Sequence, residues 1–287
     1  MIKVSAIITT HNRLSLLKRA VDSVNNQSYD NIELIVVDDH SSDGTVEWCI
    51  DNNVTVIQSP LRGGNVARNI GIRHATGNYI AFLDDDDYWY EDKIAKQVRL
   101  AESSGCAVIY CGIRKTIKQN DEWRYEYIYP RTVNTGDVSH RVLQEIFTVT
   151  SALMVKRELL MSVGLFDENL NFWQEYELCI RLAQKSAFNA VEEILVDYLV
   201  DSGDKNRLTN KYDNWKKTVK NIHRKHSDIY SELPPLERIW ADRVEIWDAI
   251  SRSENAGLNL QRRINRMRLK ISFLKERLVK KLLVKSN

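Results

Sequence analysis

The first hundred residues alternate short apolar runs with longer amphipathic stretches. Residues 4–10 form a β-rich apolar run, followed over 14–25 by Leu14, Leu17, Val21 and Val24 on one helical stripe. Residues 32–37 and 54–58 read as further strands. Between them a helix is expected from Asp43, placed as N-cap, to about residue 52. A third helix is expected over 65–75, ended by Gly77. Tyr79-Ile-Ala-Phe-Leu83 is a fourth buried strand, and helix 93–104 leads to an apolar strand at 107–110. Strands alternating with helices predict an α/β fold with a mostly parallel, doubly wound sheet.

The pattern then changes. Residues 123–129 alternate and are aromatic, which predicts a strand or hairpin. Residues 151–155 and 194–200 read as strands. A helix is expected over 174–186, with Tyr176 or Leu178, Ile180 and Leu182 partly buried. The polar break at 202–206 marks the expected boundary between a domain over 1–203 and a helical region over 204–287, which Pro234-Pro235 interrupts.

Charge sharpens this division. Residues 259–287 carry ten Lys and Arg against Glu276, a local balance of +9, while the rest of the chain balances at −7. Within that tail Ile264, Met267, Ile271, Leu274, Leu278 and Leu282 recur at three- and four-residue steps. A basic amphipathic helix of this kind suits an anionic membrane surface. Its near-heptad spacing also suits a partner helix, so a homodimer stays open. Nothing else in the chain supports nucleic acid, and none is expected as a partner. Cys49, Cys106, Cys111 and Cys179 are scattered, which argues against a structural zinc site and for free thiols in a reducing compartment. The N-terminus reaches polar residues too early for a signal peptide, and no apolar run approaches a membrane span. The expected location is cytoplasmic, peripheral on the inner face of the cytoplasmic membrane.

The chemistry concentrates at strand ends. Asp84-Asp85-Asp86-Asp87 directly follow the fourth strand. Carboxylates packed side by side call for a cation among them. Open α/β sheets bind ligands beyond the carboxyl ends of their strands. In an extended segment Asp84 and Asp86 face one way and Asp85 the other. The competing reading is a solvated acidic turn before the next helix. Two more strand ends deliver Thr9-Thr10-His11-Asn12-Arg13 and Asp38-Asp39-His40-Ser41-Ser42-Asp43, and three such loops on one sheet edge predict a cleft.

The segments 5–13, 34–45, 65–71 and 77–87, in this order and spacing, resemble the blocks of family 2 glycosyltransferases with the GT-A fold. The resemblance covers roughly residues 3–200; the C-terminal third lies outside it. It implies a nucleotide-sugar half over about 1–111 and an acceptor half over about 112–203. It also implies a UDP-sugar donor, with Mn²⁺ or Mg²⁺ held by Asp86 and Asp84. Asp84 and Asp85 would contact the ribose or metal-bound water, and Asp87 would be structural. Asp39 resembles the residue that accepts the uracil N–H, and Arg68 the arginine that approaches the diphosphate. A salt bridge from Arg68 to Asp39 or to the aspartates is an alternative, compatible role. Thr10, His11, Asn12 and Arg13 would border the nucleotide, His11 having a purely structural alternative.

Inverting transfer needs a carboxylate base opposite the leaving group. The family block for that base resembles Trp173-Gln-Glu-Tyr-Glu-Leu-Cys-Ile-Arg181, with Glu175 where the family usually has aspartate. Glu177 is the rival. Residues 148–154 and 164–167 resemble the acceptor-side segment, and Trp123, Tyr125, Tyr127, Tyr129, Phe172 and Trp173 are candidate sugar-stacking surfaces. The combined expectation is an inverting enzyme that moves a hexose, of UDP-glucose or UDP-galactose type, to a polyprenyl-diphosphate-linked saccharide, as in O-antigen synthesis. The alternatives are a nucleotidyltransferase, which would need a Gly-rich phosphate loop that the first strand end lacks, or a non-catalytic nucleotide-sugar-binding scaffold.

Overall fold

The computed structural model describes residues 1–119, 122–201 and 212–285. The polar break expected at 202–206 lies outside them. Two compact units emerge, one built from 1–138, 147–168 and the residues after 180 as far as 201, the other from 139–146, 169–180 and 212–285.

The first unit opens with β1 (Val4–Thr10), α1 (Leu14–Asn25), β2 (Ile32–Asp38), α2 (Thr45–Asp51), β3 (Thr55–Gln58), α3 (Gly64–His74) and β4 (Tyr79–Asp84). It continues through β5 (Tyr88–Trp89), α4 (Lys93–Ser104), β6 (Val108–Gln119) and β7 (Glu122–Ile128). Then come β8 (Met154–Lys156), α5 (Arg157–Ser162), α6 (Gln174–Ala183), whose first turns belong to the second unit, and β9 (Phe188–Asp201). The strands among the described residues form one sheet in the order β3-β2-β1-β4-β8-β6-β9-β5, with β7 on the outside of β6. β3, β2, β1 and β4 run parallel, as strands joined by helical crossovers must. β8 enters antiparallel between β4 and β6, and the second half of the sheet is mixed.

β1 and β4 are apolar on both faces because helices cover both sides of the parallel half. α1 turns Leu17, Ala20, Val21 and Val24 onto the sheet, and α4 adds Ile94, Val98 and Ala101 to the same core. The register then decides where the chemistry sits. Thr10 lies opposite Asp38, and Thr9 opposite Asp84. Three polar loops therefore leave the sheet at one level of its carboxyl edge.

Three local expectations change. Asp43 does not cap α2, whose N-cap is the left-handed Gly44. Its carboxylate, one residue ahead of that cap, accepts the hydroxyl of Thr45, the first residue of α2, at 2.6 Å and the N–H of Leu14 at 2.9 Å, so it ties the start of α2 to the start of α1. Gly77 does not end α3, whose C-cap is Ala75. A Cβ on Gly77 would stand 2.6 Å from the Ser5 backbone nitrogen, so this glycine serves the close approach of β4 to β1. The strand expected over 151–155 starts late, because Thr150–Ala152 is a 3-10 turn ahead of β8.

The second unit contains α7 (Tyr212–Lys225), α8 (Ser227–Glu232), α9 (Pro235–Asn255) and α10 (Asn259–Lys285). Pro235 opens α9, where its missing N–H costs nothing. Gly257, at φ +69°, makes the left-handed step between α9 and α10. Trp215, Val219, Ile222, Ala249 and Ile250 are buried here, together with Trp173 and Tyr176. Phe172 and Trp173 are only 4% and 6% exposed, which removes both from the candidate sugar-stacking surfaces. The Trp173 indole N–H donates to Asp248 at 2.8 Å, so the ring is a core anchor with a satisfied polar tip. No helix among the described residues is long and apolar enough to cross a membrane.

Candidate active site

The loop after β1 and the loop after β4 are bound to each other. The Thr10 hydroxyl donates to Asp85 at 2.7 Å. Arg13 reaches both Asp85 and Asp86 at 3.2 Å. Asp85 is therefore turned inward and is 5% exposed. Burial pushes its carboxyl up to about 6; Arg13 opposes that shift and the Asp86 charge adds to it. Asp84 turns to α3, where Arg68 donates to it at 2.6 Å and also to Asn65 at 3.2 Å. The salt bridge expected of Arg68 is thus made to the aspartate cluster.

Asp87 has a different job. It is 1% exposed and accepts the backbone N–H of Leu199 at 2.9 Å and the hydroxyl of Ser151. Burial, with the Asp86 and Asp84 charges, holds its carboxyl well above the usual range. Ser151 also accepts the Asp84 N–H at 3.0 Å. One hydroxyl thereby fixes both ends of the aspartate run. Its residue type carried no signal of this; only its place in the 148–154 block marked it.

The loops after β1 and β2 turn at Asn12 and His40, both at positive φ. Asn12 accepts the Ser42 N–H at 2.7 Å, and its own N–H donates to Ser41 at 2.8 Å. A short amide side chain tolerates this left-handed backbone and ties the two loops. His11 Nδ1 lies against the Asp39 carbonyl, so the ring links the β1 and β2 loops. Asp38 is fully buried and accepts the Ser41 N–H. Asp39 accepts the Gly63 N–H at 2.9 Å through Oδ2. Its Oδ1 is buried with no hydrogen-bond partner, 3.5 Å from the His40 ring. An unsatisfied buried carboxylate oxygen costs folding free energy, and a bound N–H donor removes that cost. Gly63 was not foreseen as the group that fixes Asp39.

Segment 164–167 packs on α3: Asn69 donates to the Phe166 carbonyl and accepts the Phe166 N–H, both at 2.9 Å, and Asn65 donates to the Asp167 carbonyl at 2.8 Å. Glu175 lies in the first turn of α6, half-buried, in the second unit. Its rival Glu177 is fully buried there. Lys225 donates to Glu177 at 2.7 Å, and His226 Nε2 lies 3.0 Å from the same oxygen. Glu177 is an internal counter-charge, enclosed away from any acceptor.

The donor set suits a divalent cation. Asp84 and Asp86 side chains stay 28% and 21% exposed, beside two arginines. Among the described residues no three His, Cys, Asp or Glu side chains form a ready-made cage. A Mg²⁺-type site needs none, since one or two carboxylates suffice when ligand phosphates supply the rest.

The glycosyl transferase family 2 model matches residues 5–164. The amylovoran biosynthesis glycosyltransferase AmsB of Erwinia amylovora is 30% identical over 204 residues, covering 66% of both chains. The Escherichia coli protein WfaP, a UDP-Glc:alpha-D-GlcNAc-diphosphoundecaprenol beta-1,3-glucosyltransferase, is 39% identical over 106 residues, 35% of this chain and 41% of its own. The match spans only 33% of the Rickettsia felis uncharacterized glycosyltransferase, at 29% identity over 70% of this chain. Among solved structures, Staphylococcus aureus TarS 1-349 in complex with UDP-GlcNAc aligns with a TM-score of 0.62 at 15% identity, over 97% of this chain and 92% of that one. The Pyrobaculum calidifontis mannosyltransferase PcManGT, in complex with GDP-Man and Mn²⁺, gives 0.57 at 19% identity, over 96% and 87%. These likenesses share the GT-A sheet described above. With more than half its length matched by the family model, and with its polar loops gathered on the carboxyl edge of that sheet, the chain belongs to glycosyl transferase family 2.

Proposed function

We propose that the chain is an inverting, divalent-metal-dependent glycosyltransferase that moves a hexose from a UDP-sugar to a lipid-linked saccharide during surface-polysaccharide synthesis of the O-antigen type. The observation that carries the nucleotide reading is the buried, unpartnered Oδ1 of Asp39, next to a cluster of two arginines and three aspartates. An acceptor-only carboxylate pairs with the imide N–H of uracil, whereas cytosine presents an unprotonated ring nitrogen there. Arg68 and Arg13 offer charge to a diphosphate. Asp86 and Asp84 would hold Mn²⁺ or Mg²⁺, which neutralises the leaving diphosphate when bound. Asp85 and Thr10 brace that pair, and His11 and Asn12 shape the loop beside Asp39. Glu175 takes the proton as the acceptor oxygen bonds to the anomeric carbon. The bond from that carbon to the phosphate oxygen breaks, and UDP leaves with its electron pair.

The acceptor reading draws on the diphosphoundecaprenol acceptor in the name of WfaP and on α10. Ile264, Met267, Ile271, Leu274, Leu278 and Leu282 are 44 to 67% exposed and lie between basic residues. An apolar stripe of this length on a cationic helix fits the headgroup region of an anionic bilayer. We place the enzyme on the inner face of the cytoplasmic membrane on that ground. The double variant Leu274→Asp, Leu278→Asp keeps the buried side of α10 intact and is expected to lose sedimentation with phosphatidylglycerol vesicles. Undiminished co-sedimentation would refute the membrane reading.

The donor is tested by thermal shift with UDP, GDP, CDP and TDP, then UDP-glucose and UDP-galactose, each with and without Mn²⁺. Selective binding at a hundredfold excess over Kd stabilises the native state by about 2.7 kcal/mol. A UDP-selective shift that grows with Mn²⁺ is expected. No shift with any nucleotide would put the scaffold reading first.

A further inference from the structure

β7 is a seven-residue strand whose every position is exposed or half-exposed. It pairs with β6 along one side, and among the described residues no strand pairs with the other. Edge strands in monomeric proteins are blunted by charged side chains, lysine above all, by proline, a bulge or a covering segment. β7, Glu122-Trp-Arg-Tyr-Glu-Tyr-Ile128, contains neither lysine nor proline; its charges, Glu122, Arg124 and Glu126, are of both signs, so they repel a second strand in some registers and attract it in others, and its pairing with β6 runs without a register shift. Trp123, Tyr125 and Tyr127 share one face at 53%, 50% and 60% exposure, and Glu122, Arg124, Glu126 and Ile128 share the other.

This strand is complementary to itself. We propose that two copies of the chain join through their β7 edges, antiparallel about a two-fold axis at Tyr125, so that their sheets become continuous. That register sets Arg124 against Glu126 of the second copy twice over. It also sets Trp123 against Tyr127 twice, and Tyr125 against its own counterpart. Opposite charges and aromatic rings directly across a ladder are both stabilising pairs. Sliding by two residues sets either Glu126 against Glu126 or Arg124 against Arg124. Like charges directly opposite oppose pairing, so the charges choose the register. Within one copy Arg124 already lies 3.1 Å from Glu126 along the strand. The interface would therefore extend an existing line of alternating charge. The two-fold makes the contact closed, which limits it to a dimer. The proposal uses no residue of the donor site and stands apart from the donor reading.

The test is sedimentation equilibrium of the full chain with two charge reversals. Wild type is expected to be a dimer. Arg124→Glu sets Glu against Glu, and Glu126→Arg sets Arg against Arg, so each variant alone should dimerise roughly tenfold or more weakly, two cross-strand pairs being lost. An equimolar mixture of the two variants restores both attractive pairs and should regain dimers of wild-type affinity. A cooperative thermal unfolding transition in both variants, at a Tm close to wild type, would show that each is folded. A monomeric wild type would overturn the proposal and leave the aromatic face to a saccharide. Variants that dimerise as wild type does would overturn it and place self-association elsewhere, with α10 the next surface to test. Single variants that stay monomeric when mixed would also overturn it.

Discussion

Glu175→Gln is expected to abolish transfer while leaving UDP-sugar binding nearly unchanged. Glutamine keeps the shape and removes the one property a general base needs, an unprotonated carboxylate. Removing a positioned base typically costs 10²- to 10⁴-fold in rate, so kcat should fall by about that much. The UDP thermal shift should stay, because the groups proposed for the nucleotide belong to the loops after β1, β2 and β4 and to α3. Glu175→Asp should recover part of the activity, since the chemistry requires a carboxylate and the shorter one is the family's usual choice. Glu177→Gln provides the contrast. Glu177 is buried against Lys225 and His226. Weakening a buried charge pair from one side is strongly destabilising, so this variant should show a lowered Tm as its first effect. Full transfer activity in Glu175→Gln would sink the assignment of the base.

Elements governed by one local rule are legible in the sequence. β1, β2 and β4 are central strands, and their continuous apolar runs could mean little else. α4 is bounded by Lys93 and Ser104, as its periodicity required. The charged tail is one helix because its apolar step never breaks from Ile264 to Leu282. The strand-end rule then located the polar loops, and the parallel register brought them level.

What the sequence hid was long-range and polar. Asp43 looks like a local cap for α2, and it does hold Thr45 there; its second partner, the Leu14 N–H, is 29 positions away and no local pattern announces it. Ser151 gives no signal by type, yet it fastens Asp84 and Asp87 across 64 to 67 positions. Gly77 carries a helix-stop signature, and the decisive contact is with β1, which no local pattern encodes. Phe172 and Trp173 sit in a loop where aromatics can face solvent, and only the helices that follow bury them. Periodicity reports which face is buried. It does not report what a buried polar atom meets.

Asp86→Asn is expected to remove the metal-dependent part of UDP binding and to leave the metal-independent part. The four carboxylates from Asp84 to Asp87 differ in surroundings. Asp85 and Asp87 are buried and satisfied within the fold, and neither can turn outward without breaking contacts to Thr10 or Leu199. Asp84 and Asp86 retain exposed carboxylate surface beside their arginines. A cation shared with a diphosphate would be held from these two, and Asp86 lies 3.2 Å from Arg13. Arg13 keeps its Asp85 contact in the variant, so the loop should hold its shape and the Tm without ligand should change little. In wild type, UDP with Mn²⁺ at a hundredfold excess over Kd should raise Tm by about 5 °C or more, at roughly 2 °C per kcal/mol for a chain of this size. In Asp86→Asn the increment added by Mn²⁺ should vanish. Asp39→Asn should behave in the opposite way, weakening UDP with or without metal while preserving the increment, because it replaces the acceptor proposed for the base and touches no cation. If Mn²⁺ still strengthens UDP binding to Asp86→Asn as it does to wild type, the ion is held elsewhere and the assignment of Asp86 falls. If Asp39→Asn leaves UDP, CDP and GDP bound as in wild type, the unpartnered Oδ1 does not read the base.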